Sequence, residues 1–335
     1  MSPGDLAVSL ALLGCLAAFT WVLLDDAPLT IPNTPGEQIS EAPDRPAEGA
    51  RLRFVGSLLQ HPSHKRADFA ALYTPHRALL TEADTTVATL EFPVDPDEPI
   101  GPVPGTLQFN GSPTHLKALE QAGVDVLSIA TDHAWDTGDI QATTQQISAA
   151  GMRPLAHGPL VLDVGGTRVA LVAYTQTLQP RREDFRSGLV SASSNAASLI
   201  WAPDDLPVRA LNFTDWTAEF QEYGRGVFRR DVQRARQAGA QLVVALPHWA
   251  PDFSSGPTKA MLRAADDLAD AGFDAVIGTG SHSSQVVSDR SIPVAWSLGS
   301  FMSDFREPEL RRPRVVDLIV DNGLIVGIET RVISR

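Results

Sequence analysis

A chain of 335 residues is long enough to bury a large core, as one large domain or two smaller ones, and its hydrophobic and charged fractions are ordinary for a globular protein. A formal net charge of −13 argues against general nucleic-acid binding, which needs a basic footprint. The single cysteine, Cys15, excludes an intramolecular disulfide framework and a cysteine-based zinc site, so a metal would have to rest on His, Asp, Glu or Asn.

The chain opens with Leu6 to Leu24, LAVSLALLGCLAAFTWVLL, which carries no charge. At about 1.5 Å rise per residue it matches a hydrocarbon core of about 30 Å. A cleaved signal peptide would start with positive charge and hold a shorter apolar run. MSPGD holds no Lys or Arg, and the run continues to Asp25. A single transmembrane anchor over residues 1–26 is the expectation. Leu12-Leu-Gly-Cys15 faintly resembles a lipoprotein cleavage box, but the apolar run continues past the cysteine. No Lys or Arg flanks either end closely enough to orient the span. Residues 27–50, rich in Pro and polar side chains, read as a semi-extended linker, and the folded domain is expected over 51–335.

From there strand and helix alternate. Strands are expected at 51–59, 86–92 and 124–130, with helices at 69–80, 113–122 and 140–150. Residues 93–104, rich in Pro and acid, read as loop. A hairpin follows, 160–163 and 168–174, turning at Gly165-Gly166. Then come a helix at 227–238, a strand at 241–246, a helix at 259–271 and strands at 275–278 and 293–298. A hairpin of 315–320 and 324–332 turns around Asp321-Asn-Gly323. The repeated unit is helix, Ala-Gly, then apolar strand, at QAGVDVLSIA, QAGAQLVVAL and DAGFDAVIGT. It predicts an α/β protein, in which ligands bind beyond the carboxyl ends of the strands.

Polar residues collect at those ends: Gly56-Ser57, Glu91, Thr131-Asp132-His133, Pro247-His248-Trp249 and Thr279-Gly-Ser-His282. Each histidine alone reads most simply as a hydrogen-bonded loop residue. Carboxylates and imidazoles converging from several strands are what a divalent metal needs. Asp136, three residues after His133, reads equally as the carboxylate that holds its imidazole or as an Asx-turn or cap for the helix near Ile140. Trp135 and Trp249 read as core packing or as cleft walls. Arg225, Arg229, Arg230, Arg234 and Arg236 crowd one helix. Spaced four apart in pairs, they read as a solvated face or as a contact for an anionic polymer or headgroup.

In order, these motifs resemble the bacterial capsule-synthesis CapA family of poly-gamma-glutamate biosynthesis proteins. The resembling stretches are Gly56-Ser57, Thr89-Leu90-Glu91, Ala130-Thr131-Asp132-His133 with Asp136 and Gly138, and His248-Trp249-Ala250. Gly278-Thr-Gly-Ser-His-Ser-Ser-Gln285 and Ser297-Leu-Gly-Ser-Phe301 complete the set, over about Leu52 to Asp304. The resemblance implies a calcineurin-like metallophosphoesterase fold, an α/β/β/α sandwich with mixed sheets, behind an N-terminal membrane anchor on the extracytoplasmic face of the cell membrane. It implies metal ligation by Glu91, Asp132, His248 and His282, with Glu91 bridging, and a divalent Mn, Fe or Zn ion. It implies His133 as general acid, near neutral pH a fitting role for imidazole. The implied partners are the membrane, an anionic extracellular polymer and other capsule-synthesis subunits.

The departures matter too. Ser57 stands where the family has a ligand aspartate, Gly280 where it has the first histidine of His-Pro-His, and Asp132 and Ser300 where it has asparagines. Two ligands of a two-metal clamp are thereby gone. Three readings follow: a capsule factor with a modified hydrolase cleft, a non-catalytic polymer-binding or scaffolding subunit on the same fold, and a metallophosphoesterase unrelated to capsules.

Overall fold

The computed structural model of the chain describes residues 48–59, 68–101, 108–175, 218–249, 251–303 and 305–334. The expected membrane span at Leu6–Leu24 and nearly all of the linker lie outside these residues. Among the described residues no helix is long and apolar enough to cross a membrane.

Two sheets make the frame. In chain order the first half runs β1 (Ala50–Leu58), α1 (Phe69–Tyr73), α2 (Arg77–Thr81), β2 (Thr85–Leu90), α3 (Pro113–Ala122), β3 (Val126–Ser128), α4 (Ile140–Ala149) and β4 (Arg153–Leu155). The second runs β5 (Leu160–Val164), β6 (Thr167–Thr175), α5 (Ala218–Gln237), β7 (Leu242–His248), α6 (Lys259–Ala271), β8 (Ala275–Ile277), β9 (Val287–Asp289) and β10 (Pro293–Ala295). It closes with β11 (Ser300–Met302), β12 (Arg314–Asp321) and β13 (Leu324–Val332). The first sheet has the order β13-β12-β1-β2-β3-β4, with β11 beside the end of β1; the second is β5-β6-β7-β8-β10-β9. β1 through β4 are parallel, as are β6, β7, β8 and β10. The antiparallel pairs β1–β12, β12–β13, β5–β6 and β9–β10 make both sheets mixed.

The period-2 pleat sorts the apolar residues into two layers. Val169, Leu171 and Ala173 of β6, with Leu242, Val244 and Leu246 of β7, join the core shared with β1, β2 and β3. The alternate residues Ala170, Val172 and Tyr174, with Val243 and Ala245, pack on Val227, Phe228, Ala264 and Leu268 of α5 and α6. Each fully buried Val, Leu or Phe of these layers contributes roughly 1.5–3 kcal/mol of transfer free energy. The result is the expected sandwich of helix, sheet, sheet and helix. It places the carboxyl ends of β1, β2 and β3 against those of β7 and β8.

Several boundaries differ from expectation. The helix expected over 69–80 is broken into α1, a 3-10 turn at Thr74–His76 and α2. Pro75 has no N–H to donate and crowds the preceding turn. The strand expected over 124–130 is only β3, because the Val124 N–H is used to cap α3 at Leu119 O, 3.1 Å. Gly123 makes that cap in the left-handed region, φ 104°, where a Cβ would stand 2.6 Å from Thr81 Cγ2. α5 begins nine residues earlier than the expected 227. β7 extends through Pro247 and His248, so His248 is the last residue of a strand and not the first of a loop.

Strands β4, β9 and β11 were not expected. They are three residues each, too short for alternation to register. β11 has the largest consequence. The strand expected over 293–298 stops at Ala295, and the chain crosses at Gly299, φ 72°, from the second sheet to the first. There Ser300 pairs with Ser57. The crossing is tight: a Cβ on Gly56 would lie 1.9 Å from Gly299 O.

Candidate active site at the joined strand ends

The fold brings every expected site residue to one place. Glu91 follows β2 directly, and its N–H bonds Leu58 O of β1, 3.0 Å. Asp132 and His133 lie in a 3-10 turn, Asp132–Trp135, which starts where the chain leaves β3. His248 ends β7, and His282 sits in the loop after β8 with φ 59°, a left-handed conformation a side chain rarely adopts.

Two links cross between the sheets. Glu91 Oε1 lies 3.6 Å from His248 Nδ1, and Glu91 Oε2 lies 3.7 Å from His282 Nδ1. A third, Asp132 Oδ1 to His248 Nε2, is 3.2 Å. Asp132 Oδ2 is also 3.6 Å from His133 Nε2. Glu91 is fully buried, yet neither of its carboxylate oxygens has a hydrogen-bond partner among the described residues. Ser57 Oγ and Thr131 Oγ1, on adjoining strand ends, are buried and unpartnered in the same way. Buried polar groups are otherwise almost always satisfied. A carboxylate left so is the mark of a place meant for something else.

Asp136 stands beside His133 and does not cap the helix at Ile140. Its Oδ2 is 2.9 Å from His133 Nδ1 and accepts the Phe109 N–H at 2.7 Å. The cap of α4 is Asp139, which accepts from the Ala142 N–H. Burial pushes the His133 imidazole toward neutrality, but the carboxylates of Asp132, Asp136 and Glu91 outweigh it and raise its pKa to about 10. His248 is likewise pushed down by burial and more strongly up by Asp132 and Glu91. Burial in turn raises Asp136, against the pull of His133.

Three further residues hold the histidines. Thr279 Oγ1 is 3.1 Å from His248 Nδ1, and Ser300 Oγ is 3.0 Å from His282 Nδ1. The Phe109 ring stands edge-on to His133 at 4.6 Å. Asp252, exposed, reaches within 3.9 Å of His282 Nε2. The sequence signals for Thr279 and Asp252 were their places just past β8 and β7; Phe109 had none.

Trp249 is not a cleft wall. It is buried, stacks on Trp296 at 5.8 Å and donates its Nε1–H to Trp296 O at 3.0 Å. Trp135 packs, partly buried, against the main core. On α5, Arg225 pairs with Asp267 at 2.6 Å, Arg234 with Asp231 at 3.7 Å and Arg236 with Asp274 at 2.8 Å. At least three of the five arginines are thus engaged within the fold.

The potential metal ligands are joined pairwise. Among the described residues, no group of three or more His, Cys, Asp or Glu side chains stands so that it could hold a metal ion. The Glu91 contacts, at 3.6 and 3.7 Å, are longer than hydrogen bonds, and the nitrogens they approach, His248 Nδ1 and His282 Nδ1, also lie beside Thr279 Oγ1 and Ser300 Oγ.

The fold and the site together define a two-sheet α/β sandwich with carboxylates and imidazoles gathered at its strand ends. A family model, Bacterial capsule synthesis protein PGA_cap, matches residues 51–305, and the chain belongs to that family. The capsule biosynthesis protein CapA of Bacillus anthracis is 24% identical over 204 residues, which cover 56% of this chain and 42% of that protein. The chain thus spans less than half the length of that relative. Among solved structures, the sulfate thiohydrolase SoxB of Thermus thermophilus is 13% identical at a TM-score of 0.45, over 87% of this chain and 58% of that one. A putative 5'-nucleotidase from Staphylococcus aureus is 12% identical at 0.44, over 85% and 54%. Scores this low carry no weight for function.

Proposed function

We propose that this protein is a membrane-anchored factor of capsule or poly-gamma-glutamate synthesis or export whose domain, on the extracytoplasmic side, keeps a metal-dependent hydrolase cleft. The family and the similarity to a capsule biosynthesis protein support the biological role. The observation that carries the chemistry is Glu91: a buried carboxylate with no hydrogen bond among the described residues, faced by two histidines.

What supports a divalent cation here is the chemistry of the donors. Oxygen and imidazole donors suit Mn, Fe or Zn. Glu91, Asp132, His248 and His282 would hold it, with Ser57 and Thr131 beside them. When bound, such an ion supplies Lewis-acid polarisation and a water acidified toward neutral pH.

The remaining steps belong to the chain. Asp136 holds the His133 Nδ1–H, which fixes the tautomer and leaves Nε2 facing the cleft. With a pKa raised to about 10, His133 carries its proton at neutral pH. It is placed to deliver that proton from Nε2 to a leaving-group oxygen or nitrogen. A bound cation would offset the carboxylates that raise this pKa and bring it closer to the working range. Thr279 and Ser300 orient His248 and His282 from their Nδ1 sides.

The test is metal content by mass spectrometry on the full chain in detergent, purified without chelator or tag-bound metal, beside His133→Ala and His248→Ala. Near-stoichiometric Mn, Fe or Zn that is lost in His248→Ala and kept in His133→Ala supports the reading. Protein that is empty and refuses added metal overturns the hydrolase, and leaves a polymer-binding or scaffolding subunit.

A further inference from the structure

Two aromatic rings beside His282 take no part in the proposed chemistry. Phe253 is 55% exposed, among the most exposed large apolar residues described. Its ring lies 5.6 Å from His282, tilted by 40°, and 5.6 Å from Phe305, edge-on at 83°. Phe305 lies in turn 5.2 Å from His282. The two rings form a corner over the imidazole that faces Glu91.

An exposed phenylalanine contributes little to the core, and this one also carries a backbone cost. Its φ is 59°, a region L side chains avoid. Strain of this kind persists only where the surroundings enforce it. Here they do: the Phe253 N–H bonds Ser281 O at 2.7 Å, and the Gln285 amide donates to Ser254 O at 3.0 Å and to Ser254 Oγ at 3.1 Å. The backbone of Phe253 is held and its ring is about half exposed, next to a residue of the candidate site. That combination suits a ligand and not a packing role.

We infer that Phe253, backed by Phe305, is a specificity-determining platform on which a ring of the substrate stacks while its charged ester or acyl group enters the cleft at His282. The inference rests on the hydrolase reading for the second half of that sentence only. The ligand chemistry is a flat-faced ring attached to an anionic group. It can come from an aromatic ring or from the C–H face of a pyranose, since either can lie on an aromatic face.

The experiment is equilibrium binding by titration calorimetry on the full chain in detergent with added Mn, using methylphosphonate, phenylphosphonate and glucose 1-phosphate. Phe253→Gly is the main variant, because glycine removes the ring and also relieves the positive φ, so loss of folding does not confound it. Phe253→Trp is the rescue. The expected result is a preference of about three- to tenfold for a ring-bearing ligand over methylphosphonate, lost in Phe253→Gly and restored in Phe253→Trp. Whichever ring shows the preference names the source. An equal preference in Phe253→Gly, or none in the unaltered chain, overturns the platform. Metal uptake is read on the same samples. A ring preference without metal uptake sinks the hydrolase and leaves the platform standing; metal uptake without a ring preference does the reverse.

Discussion

Two buried carboxylates on the first sheet make opposite uses of their position. Asp317 of β12 receives the Arg53 Nε–H and Nη2–H on separate oxygens, each at 2.7 Å, and the Arg51 Nη1–H at 2.5 Å. Arg53 is itself fully buried and also donates to Leu79 O. Glu91, two strands away, is equally buried, and its carboxylate accepts no hydrogen bond among the described residues. Its histidine neighbours stop at 3.6 and 3.7 Å. The first arrangement is complete without a ligand and ties β1 to β12. The second is left open among the described residues, as a ligand site requires. Burial alone therefore does not separate structure from function; the state of the hydrogen bonds does.

The largest effect that would sharpen the contrast is at Arg53. Arg53→Met leaves Asp317 buried with only Arg51, and removing one partner of a buried pair costs about 3–5 kcal/mol. Chemical denaturation should show a loss of that size, with metal uptake per folded molecule unchanged. A loss below about 1 kcal/mol would erase the distinction, because the Asp317 network would then be no more structural than the cleft.

Asp136 tests the boundary between the two kinds of site. It is fully buried and hydrogen-bonded like Asp317, yet one of its partners is His133. Asp136→Asn should cost roughly 1–3 kcal/mol, the range for weakening a charged hydrogen bond. Its more telling effect is on titration. Against the pull of burial, the carboxylates of Asp132, Asp136 and Glu91 raise the His133 pKa to about 10, above the unfolded value of about 6.5. The stability this contributes is complete below pH ~6.5 and is lost as pH rises toward 10. Without the Asp136 carboxylate the imidazole midpoint should fall, and the window should close from its upper end. Proton NMR of the His133 ring reads it directly; an unmoved midpoint would show that Asp132 and Glu91 alone set it.

Much of this was legible in the chain. The helix, Ala-Gly, strand unit implied parallel strands, and the rule of strand ends then pointed to Glu91, Asp132, His133, His248 and His282. What was not legible depended on contacts between distant segments. Nothing near Phe109 announces that its N–H would hold Asp136, 27 residues on. β11 has no periodicity of its own and exists because Gly56 and Gly299 let two backbones touch. Trp249, next to a site histidine, could have lined the cleft, but the strand pleat turns it to the opposite face and into the helix-covered core. Pro75 was the exception, a break readable from the sequence that the apolar spacing around it concealed.

The smallest effect on stability should be at Glu91, where the contrast with Asp317 is sharpest. Glu91→Gln replaces an unpartnered buried carboxylate with a neutral amide of the same shape. The variant loses no hydrogen bond, and it is relieved of a desolvated charge, which offsets whatever attraction the two histidines supplied over 3.6 and 3.7 Å. Metal-free protein should therefore change by less than about 1 kcal/mol, in either direction, in the same denaturation assay that registers Arg53→Met. Metal affinity should fall by at least about tenfold, since an anionic ligand has become a neutral one. A large loss of stability with unchanged metal uptake would invert the assignment. Glu91 would then be a structural charge held by its histidines, and the strand ends would form a closed polar cluster instead of a site.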